Sequence, residues 1–366
     1  MKNTFGSSLQ VTIFGESHGP YIGAVLDGLA PGIEIDDEFI KHELKLRRPS
    51  GDISTKRVEE DNYQIVSGVY KGKTTGTPLC ILIPNTKQHS DDYEAPERIA
   101  RPGHADYSAF CKYHGFEDYH GGGHFSGRIT AAVVAAGAIA MSALSKKGIN
   151  VGTHIKKLAD IEDSEFKDLE KDIKALSEKE FPTLDKEAEE KMKEEILKVR
   201  EDGDSVGGIL ETVVTGMPAG VGEPFFDSVE SLISHVLFSI PGVKGVEFGA
   251  GFNGVCGRGS QFNDPFRMDG GKVVTTTNNN GGINGGITNG MPILFRTAVK
   301  PTPSIYKAQD SIDINANKDA TLNVKGRHDP AIIHRARVVV DTMTALLIYD
   351  LISSRFGTDF FCGGKD

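Results

Sequence analysis

The chain has 366 residues, 38% hydrophobic and 25% charged, with 43 Gly and no Trp; this composition fits a folded protein and excludes a disordered tail, a collagen-like repeat or a small disulfide scaffold. Its formal charge of −10 disfavours nonspecific nucleic-acid binding. Between Lys156 and Asp204 lie 11 basic and 18 acidic residues, so this stretch carries −7 of the total.

In chain order, Leu9–Phe14 and Leu79–Pro84 read as strands, and Ile129–Lys146 as a helix buried on most sides. The charged stretch then predicts a helix, a break at Pro182 and a second helix with an apolar stripe of Met192, Ile196 and Val199. Beyond it, Ile209–Val214, Lys244–Phe248 and Ile293–Lys300 read as strands, and Ser228–Ser239 and Ile333–Arg355 as helices. Strands and helices intermix without β-α-β spacing, which predicts a layered sandwich of sheets and helices rather than a doubly wound sheet. A faint echo links Gly76-Thr-Pro, which feeds one strand, to Gly290-Met-Pro, which feeds another. Each strand is followed by a Gly-Arg loop (Gly127-Arg128, Gly326-Arg327) and a long apolar helix. Two half-domains of related topology would explain it. Residues 1–366 read as one domain, with a solvated helical excursion at about 159–202.

The cysteines Cys80, Cys111, Cys256 and Cys362 lie far apart, which suits neither zinc nor a disulfide framework. The N-terminus lacks an apolar leader, and no run of 18 uncharged apolar residues occurs. The expectation is a reduced, cytoplasmic, non-membrane protein.

Five segments carry chemistry. Phe14-Gly-Glu-Ser-His-Gly-Pro20 sets a histidine between glycines at the end of a strand, where it can exchange protons near neutral pH. A serine hydrolase is rejected, because adjacent residues on a strand point to opposite faces and no nucleophile elbow exists. Lys45-Leu-Arg-Arg-Pro49 offers guanidinium groups for an oxyanion. From Arg101-Pro-Gly-His-Ala-Asp to Tyr119-His-Gly-Gly-Gly-His-Phe-Ser-Gly-Arg128, four histidines and two arginines surround a triple glycine that leads into a helix, a backbone suited to an anion. Arg128 at that helix start is unfavourable unless it faces negative charge. Metal is the competing reading, disfavoured because His120 and His124 straddle glycines rather than sharing a helical face. Gly249-Ala-Gly-Phe-Asn-Gly254 matches a dinucleotide fingerprint, but no helical pattern follows. Lys300-Pro-Thr-Pro-Ser304 suits a phosphate or a flavin edge, and Gly326-Arg-His-Asp-Pro330 holds an aspartate flanked by Arg327 and His328. Together these segments describe a basic, glycine-lined pocket for a multiply anionic ligand.

The ordered set GESHGP, RPGHADYSAFCKYHGFEDY with its triple glycine, VKGVEFGAGF, GGINGGI, KPTPSI and GRHDP resembles the chorismate synthase family over essentially the whole chain. The resemblance implies an α+β fold, a β-α-β sandwich with internal pseudo-two-fold symmetry, assembled as a homotetramer. It implies a carbon–oxygen lyase using reduced FMN for the 1,4-anti elimination of phosphate from 5-enolpyruvylshikimate 3-phosphate, giving chorismate for aromatic amino-acid biosynthesis. NADPH is the reductant in some members, and an outside flavin reductase serves others. Carried over by motif, His18, His104 and Asp329 are catalytic, and Arg47, Arg48, Arg128 and Arg327 clamp the substrate. His124, Phe125, Ser126, Pro241, Gly242, Gly285, Lys300, Pro301, Thr302, Pro303, Ser304 and Arg327 line FMN, and no metal is implied. His120 and His124 stand where many relatives carry arginine, Pro241-Gly242 replaces an Asn-Ala pair, and the loop after Pro49 is about one residue shorter.

Overall fold

A computed structural model of the chain describes residues 2–49, 51, 53–54, 60–86, 98–324 and 328–363. Its N-terminal half forms an antiparallel sheet in the order β1-β2-β3-β7-β4. The strands are β1 (Thr4–Phe5), β2 (Gln10–Gly15), β3 (Tyr21–Asp27), β4 (Gln64–Ser67) and β7 (Leu79–Pro84), with the small pair β5 (Val69–Tyr70) and β6 (Lys73–Thr74) between the last two. In β7 every second residue is buried, Leu79, Ile81 and Ile83, the period-2 pattern of a strand with one face on a core. A second sheet has the order β11-β16-β10-β8-β9, built from β8 (Asn150–Leu158), β9 (Ile161–Glu162), β10 (Gly208–Thr215), β11 (Val243–Phe248) and β16 (Ile293–Val299). Three exposed or peripheral pairs complete the strands: β12 (Phe266–Asp269) with β13 (Lys272–Thr275), β14 (Ile283–Asn284) with β15 (Ile287–Thr288), and β17 (Gln309–Asp313) with β18 (Lys318–Leu322).

Two long helices lie between the sheets, and the others pack around them or at the surface. In chain order the helices are α1 (Asp37–Arg47), α2 (Asp106–Tyr113), α3 (Thr130–Ser145), α4 (Leu169–Ser177), α5 (Lys186–Glu201), α6 (Val229–Phe238), the short α7 (Gly251–Gly254) and α8 (Gly259–Phe262), and α9 (Ile333–Phe356). The two short helices occupy the segment after the Gly249–Gly254 motif, where the sequence shows no helical period. Helix α3 packs on β3 and β7, α9 packs on β8 and β10, and the two helices pack on each other. Twelve of the sixteen α3 residues are buried. Gly137 permits the crossing, because a Cβ there would lie 2.4 Å from Thr342 Cβ. Residues 127–145 are long and apolar enough to cross a membrane, but 72% of that window is buried inside the protein. The apolar surface is spent on the core. Asp350, which interrupts the apolar run of α9, is also explained: its carboxylate accepts from the backbone N–H groups of Ser7, Ser8 and Leu9 and pins the N-terminal turn.

The sequence echo is a topological one. Read from the far edge, the second sheet is β9-β8-β10-β16-β11, and both halves run strand, strand, helix, strand, strand, long helix: β2-β3-α1-β4-β7-α3 and β8-β10-α6-β11-β16-α9. The charged excursion is the link between β8 and β10. It holds the two expected helices, α4 and α5, on either side of Pro182, with Met192 and Ile196 fully buried.

Candidate active site

Strand β2 ends at Gly15 and β3 begins at Tyr21, so Glu16–Pro20 form a tight link. It is anchored on both sides. Ser17 N donates to Gly123 O at 3.1 Å, His124 Nδ1 donates to Gly15 O at 2.8 Å, and Asn85 Nδ2 donates to Glu16 O and Gly19 O at 3.1 and 2.7 Å. Contrary to the strand-based expectation, the side chains of Ser17 and His18 meet, because both lie beyond the strand end. Ser17 Oγ gives its one proton to His120 O at 3.1 Å and so accepts from His18 Nδ1, also at 3.1 Å. Nε2 is then the proton-exchanging nitrogen of His18, and Ser17 is no nucleophile.

The triple glycine is what brings the two expected catalytic histidines together. At Gly121 (φ +60°) a Cβ would lie 2.0 Å from His18 Cε1, and at Gly122 (φ +100°) a Cβ would lie 3.3 Å from His104 Cε1. Side chains at these positions would displace both rings. His104 follows Arg101 in a turn whose Asp106 accepts from Arg101 Nε and Nη2 at 2.8 and 2.7 Å. Burial would raise the Asp106 carboxyl, but the hydrogen bonds from Arg101 and the nearby His104 ring outweigh it and hold it well below the usual carboxylate range. His104 Nδ1 lies 3.5 Å from Asp106 Oδ1, too far for a good hydrogen bond but within ion-pair reach, and has no closer partner.

The arginines gather around a residue that the sequence reading passed over. Arg47 and Arg48 end α1, Arg128 opens the turn before α3, and all three face Asp61. Asp61 Oδ2 accepts from Arg47 Nη2 at 2.9 Å, Oδ1 accepts from Arg128 Nη1, and Arg48 Nε is 3.7 Å from Oδ2. Arg128 Nε donates to Asn85 Oδ1 at 2.9 Å, which ties the cluster to the His18 link. The negative charge that Arg128 required at a helix start is thus Asp61. Nothing local in the sequence marks Asp61, whose partners lie 14 and 67 residues away. Arg335, also missed, was findable by the argument applied to Arg128, being a cation in the first turn of α9. Its Nη1 donates to Asp329 Oδ2 at 2.5 Å and its Nε to Arg47 O at 2.8 Å, so Asp329 joins the same network.

The Lys300–Ser304 turn closes the other side. Lys300 Nζ donates to Gly103 O, and Pro303 Cβ lies 3.1 Å from where a Gly103 Cβ would be, which sets this turn against the His104 turn. Burial and the nearby Lys244 charge hold the Lys300 ammonium below its ordinary value. Lys300 N donates to Gly242 O at 2.9 Å, placing Pro241-Gly242 alongside. Pro301 is exposed, and the buried Thr302 Oγ1 has no hydrogen-bond partner among the described residues. Ser304 and Asp329 line one small cleft with Arg200, Tyr306 and His328. Ser126 caps the turn into α3 by accepting from Arg128 N, and Phe125 packs edge-on against Tyr113. Gly285 is the exception. It sits in the β14–β15 turn beside Gly286, whose carbonyl accepts from Val229 N at the start of α6, whereas Pro241-Gly242 follow the end of that helix. Ten residues of helix, about 15 Å, separate the two. Arg327 lies outside the described residues.

Among the described residues, no group of three or more His, Cys, Asp or Glu converges as a metal site. His120 Nδ1 bonds Asp118 Oδ1 at 2.5 Å and His124 bonds the Gly15 carbonyl. An open cleft of about 410 Å³ lies elsewhere, lined by Asn253, Gln261, Asn279 and Arg296. It touches neither His18 nor His104.

A family model described as chorismate synthase matches residues 9–352. The chain is 46% identical over 346 residues to a chorismate synthase of Pyrococcus abyssi, covering 94% of this chain and 96% of that protein. With the Thermococcus kodakarensis chorismate synthase the identity is 45%, over 96% and 97% of the two chains. A crystal structure of a chorismate synthase superposes with a TM-score of 0.76 at 30% identity, covering 96% of this chain and 94% of that one.

Proposed function

The chain belongs to the chorismate synthase family, and on that premise we propose how its residues divide the work of the reaction. It is an enzyme, a carbon–oxygen lyase acting on phosphates in the shikimate pathway. The finer reading is a reduced-FMN-dependent 1,4-anti elimination of phosphate from 5-enolpyruvylshikimate 3-phosphate. One observation carries it: two histidines seated on consecutive glycines beside a three-arginine cluster.

The substrate carries two carboxylates and a phosphate. Arg47, Arg48 and Arg128 meet that charge with guanidinium forks, and binding there fixes the reacting carbons before the chemistry starts. Among the described residues, Arg47 Nε and Arg48 Nε are buried donors without a hydrogen-bond acceptor, as expected of groups built to receive an anion. His18, with Nδ1 turned to Ser17, uses Nε2 to protonate the departing phosphate. Asp329, oriented by Arg335, receives the proton that leaves C6. The C3–O and C6–H bonds break, phosphate takes the electron pair, and the new double bond completes the balance.

The residues around His104 fit FMN. His104 Nδ1 and the buried Thr302 Oγ1, neither hydrogen-bonded among the described residues, would with Lys300 provide polar groups for its edge and phosphate. His124, Phe125, Ser126, Pro241, Gly242, the Lys300–Ser304 turn, Arg327 and, at greater distance, Gly285 complete the proposed binding set. The chemistry supplied by bound reduced FMN is an electron lent to the substrate as phosphate departs and then recovered. His104 would donate or accept a hydrogen bond at the edge of the bound flavin ring. Assembly as a homotetramer belongs to the same proposal, and a cytoplasmic setting is supported by four cysteines outside any disulfide.

The test is anaerobic turnover. Purified protein with reduced FMN and the enolpyruvyl substrate should develop chorismate absorbance. A folded, flavin-holding protein that releases no phosphate overturns the proposal. Repeating the assay with oxidised FMN and NADPH under air decides whether the chain reduces its own flavin or depends on an outside reductase.

A further inference from the structure

We propose that Asp61 is a positioning residue of the substrate clamp, an internal anion that holds Arg47, Arg48 and Arg128 in register for the incoming substrate. The inference rests on the reading that these arginines bind the substrate anions. The Asp61 side chain has no solvent exposure. Its two oxygens are divided, Oδ2 toward Arg47 and Arg48 at the end of α1 and Oδ1 toward Arg128 at the start of the turn into α3. One carboxylate therefore bridges two chain segments that approach only in the folded protein. Burial alone would raise this carboxyl, but the charges and hydrogen bonds of Arg47 and Arg128 outweigh burial and hold it below the ordinary value. It is ionised at neutral pH.

Three guanidinium groups converging without a counter-ion would repel one another and splay. With Asp61 between them, the cluster keeps a net charge of about +2 from three cations and one anion, which it can offer to a trianionic ligand. Arg128 is further fixed by Asn85 Oδ1 and the Pro84 carbonyl, so its direction is set before substrate arrives. Among the described residues, Arg47 Nε and Arg48 Nε have no hydrogen-bond acceptor. Asp61 thus satisfies part of the Arg47 and Arg128 forks, attracts Arg48 across 3.7 Å, and leaves the remaining donors to the substrate.

The experiment compares Asp61→Asn with wild type by steady-state turnover on reduced FMN and by flavin titration. The expected result is a KM for the enolpyruvyl substrate raised at least about tenfold, with kcat within about threefold and flavin affinity unchanged. A purely structural ion pair would lower thermal stability and leave KM where it was, and that outcome overturns the proposal. If Asp61→Asn fails to fold, the pair Arg47→Gln with Asp61→Asn removes the two charges together. Its KM should exceed that of Arg47→Gln alone at least about fivefold, because Arg48 and Arg128 have also lost their guide; equal values overturn the proposal. Arg128→Ala separates the two levels. A KM unchanged in Arg128→Ala defeats the clamp itself, whereas a raised KM there with a normal KM in Asp61→Asn defeats only the role of Asp61.

Discussion

The links β2–β3 and β8–β10 occupy the same place in the two halves of the fold, yet one has five residues and the other 49. The short link is Glu16–Pro20 and carries His18. It has no room for a core of its own, so its geometry comes from Gly121, Gly123, Asn85 and His124, which bind it from outside. The long link buries Leu176, Met192 and Ile196, the last two as part of the main hydrophobic core, and lies over the outer face of the second sheet, where Ile173 fills the space a Gly152 side chain would need. Asp163 and Glu211 clamp the buried His154 beneath it at 2.7 and 3.2 Å. Only its last residues reach the site. Gly203 O accepts from Tyr306 N, Ser205 Oγ donates to Thr302 O, Val206 N donates to Pro330 O, and Arg200 lines the cleft that holds Asp329. The excursion is therefore less peripheral than its charge suggests. Topology decides which part of a link meets the chemistry, and length decides how much else the link must stabilise by itself.

The contrast can be broken from either side. The largest effect is expected at the short link: His18→Ala should lower kcat by about 10²–10⁴-fold while flavin affinity stays unchanged, measured by stopped-flow turnover and flavin titration. Full activity in that variant would remove the functional half of the comparison. Next comes Met192→Ala in the long link. Burial of Met192 is complete, so a cost of about 2–5 kcal/mol in urea unfolding is expected, with kcat and KM of the folded fraction unchanged. A matching loss of kcat would make the excursion part of the machinery. The smallest effect is expected where the long link meets the Lys300–Ser304 turn. The Lys307–Asp204 pair is about half exposed, so Lys307→Ala should cost less than about 1 kcal/mol and shift flavin affinity less than about threefold. A larger shift in affinity would show that the base of the excursion helps to hold the cofactor.

Much of the framework was legible in the residues. The Ile293–Lys300, Ser228–Ser239 and Ile333–Arg355 segments formed within a residue of expectation at each end, because their apolar periods are long and bounded by turns. The strands Tyr21–Asp27 and Asn150–Leu158 were passed over: the first keeps Gly23 where Phe14 packs closely, and the second carries His154 and Lys156 within its run. Helix α1 was missed although Asp36 caps it and Asp37 and Glu38 open its first turn, since attention fell on the arginines at its end.

By itself the sequence determined the family, because glycine turns, paired histidines and arginine runs are local patterns that composition and order preserve. Only the tertiary structure decided which of these groups meet. His18 and His104 share a cradle because Gly121 and Gly122 are adjacent and lack side chains, while Gly285, equally prominent as a motif, is held at the far end of a helix. Asp61 and Arg335 acquired their roles in the same way. A buried charge is stable only beside its opposite, and the pairing of Asp61 with Arg47 and Arg128, or of Arg335 with Asp329, exists only once two sheets have closed on the helices between them.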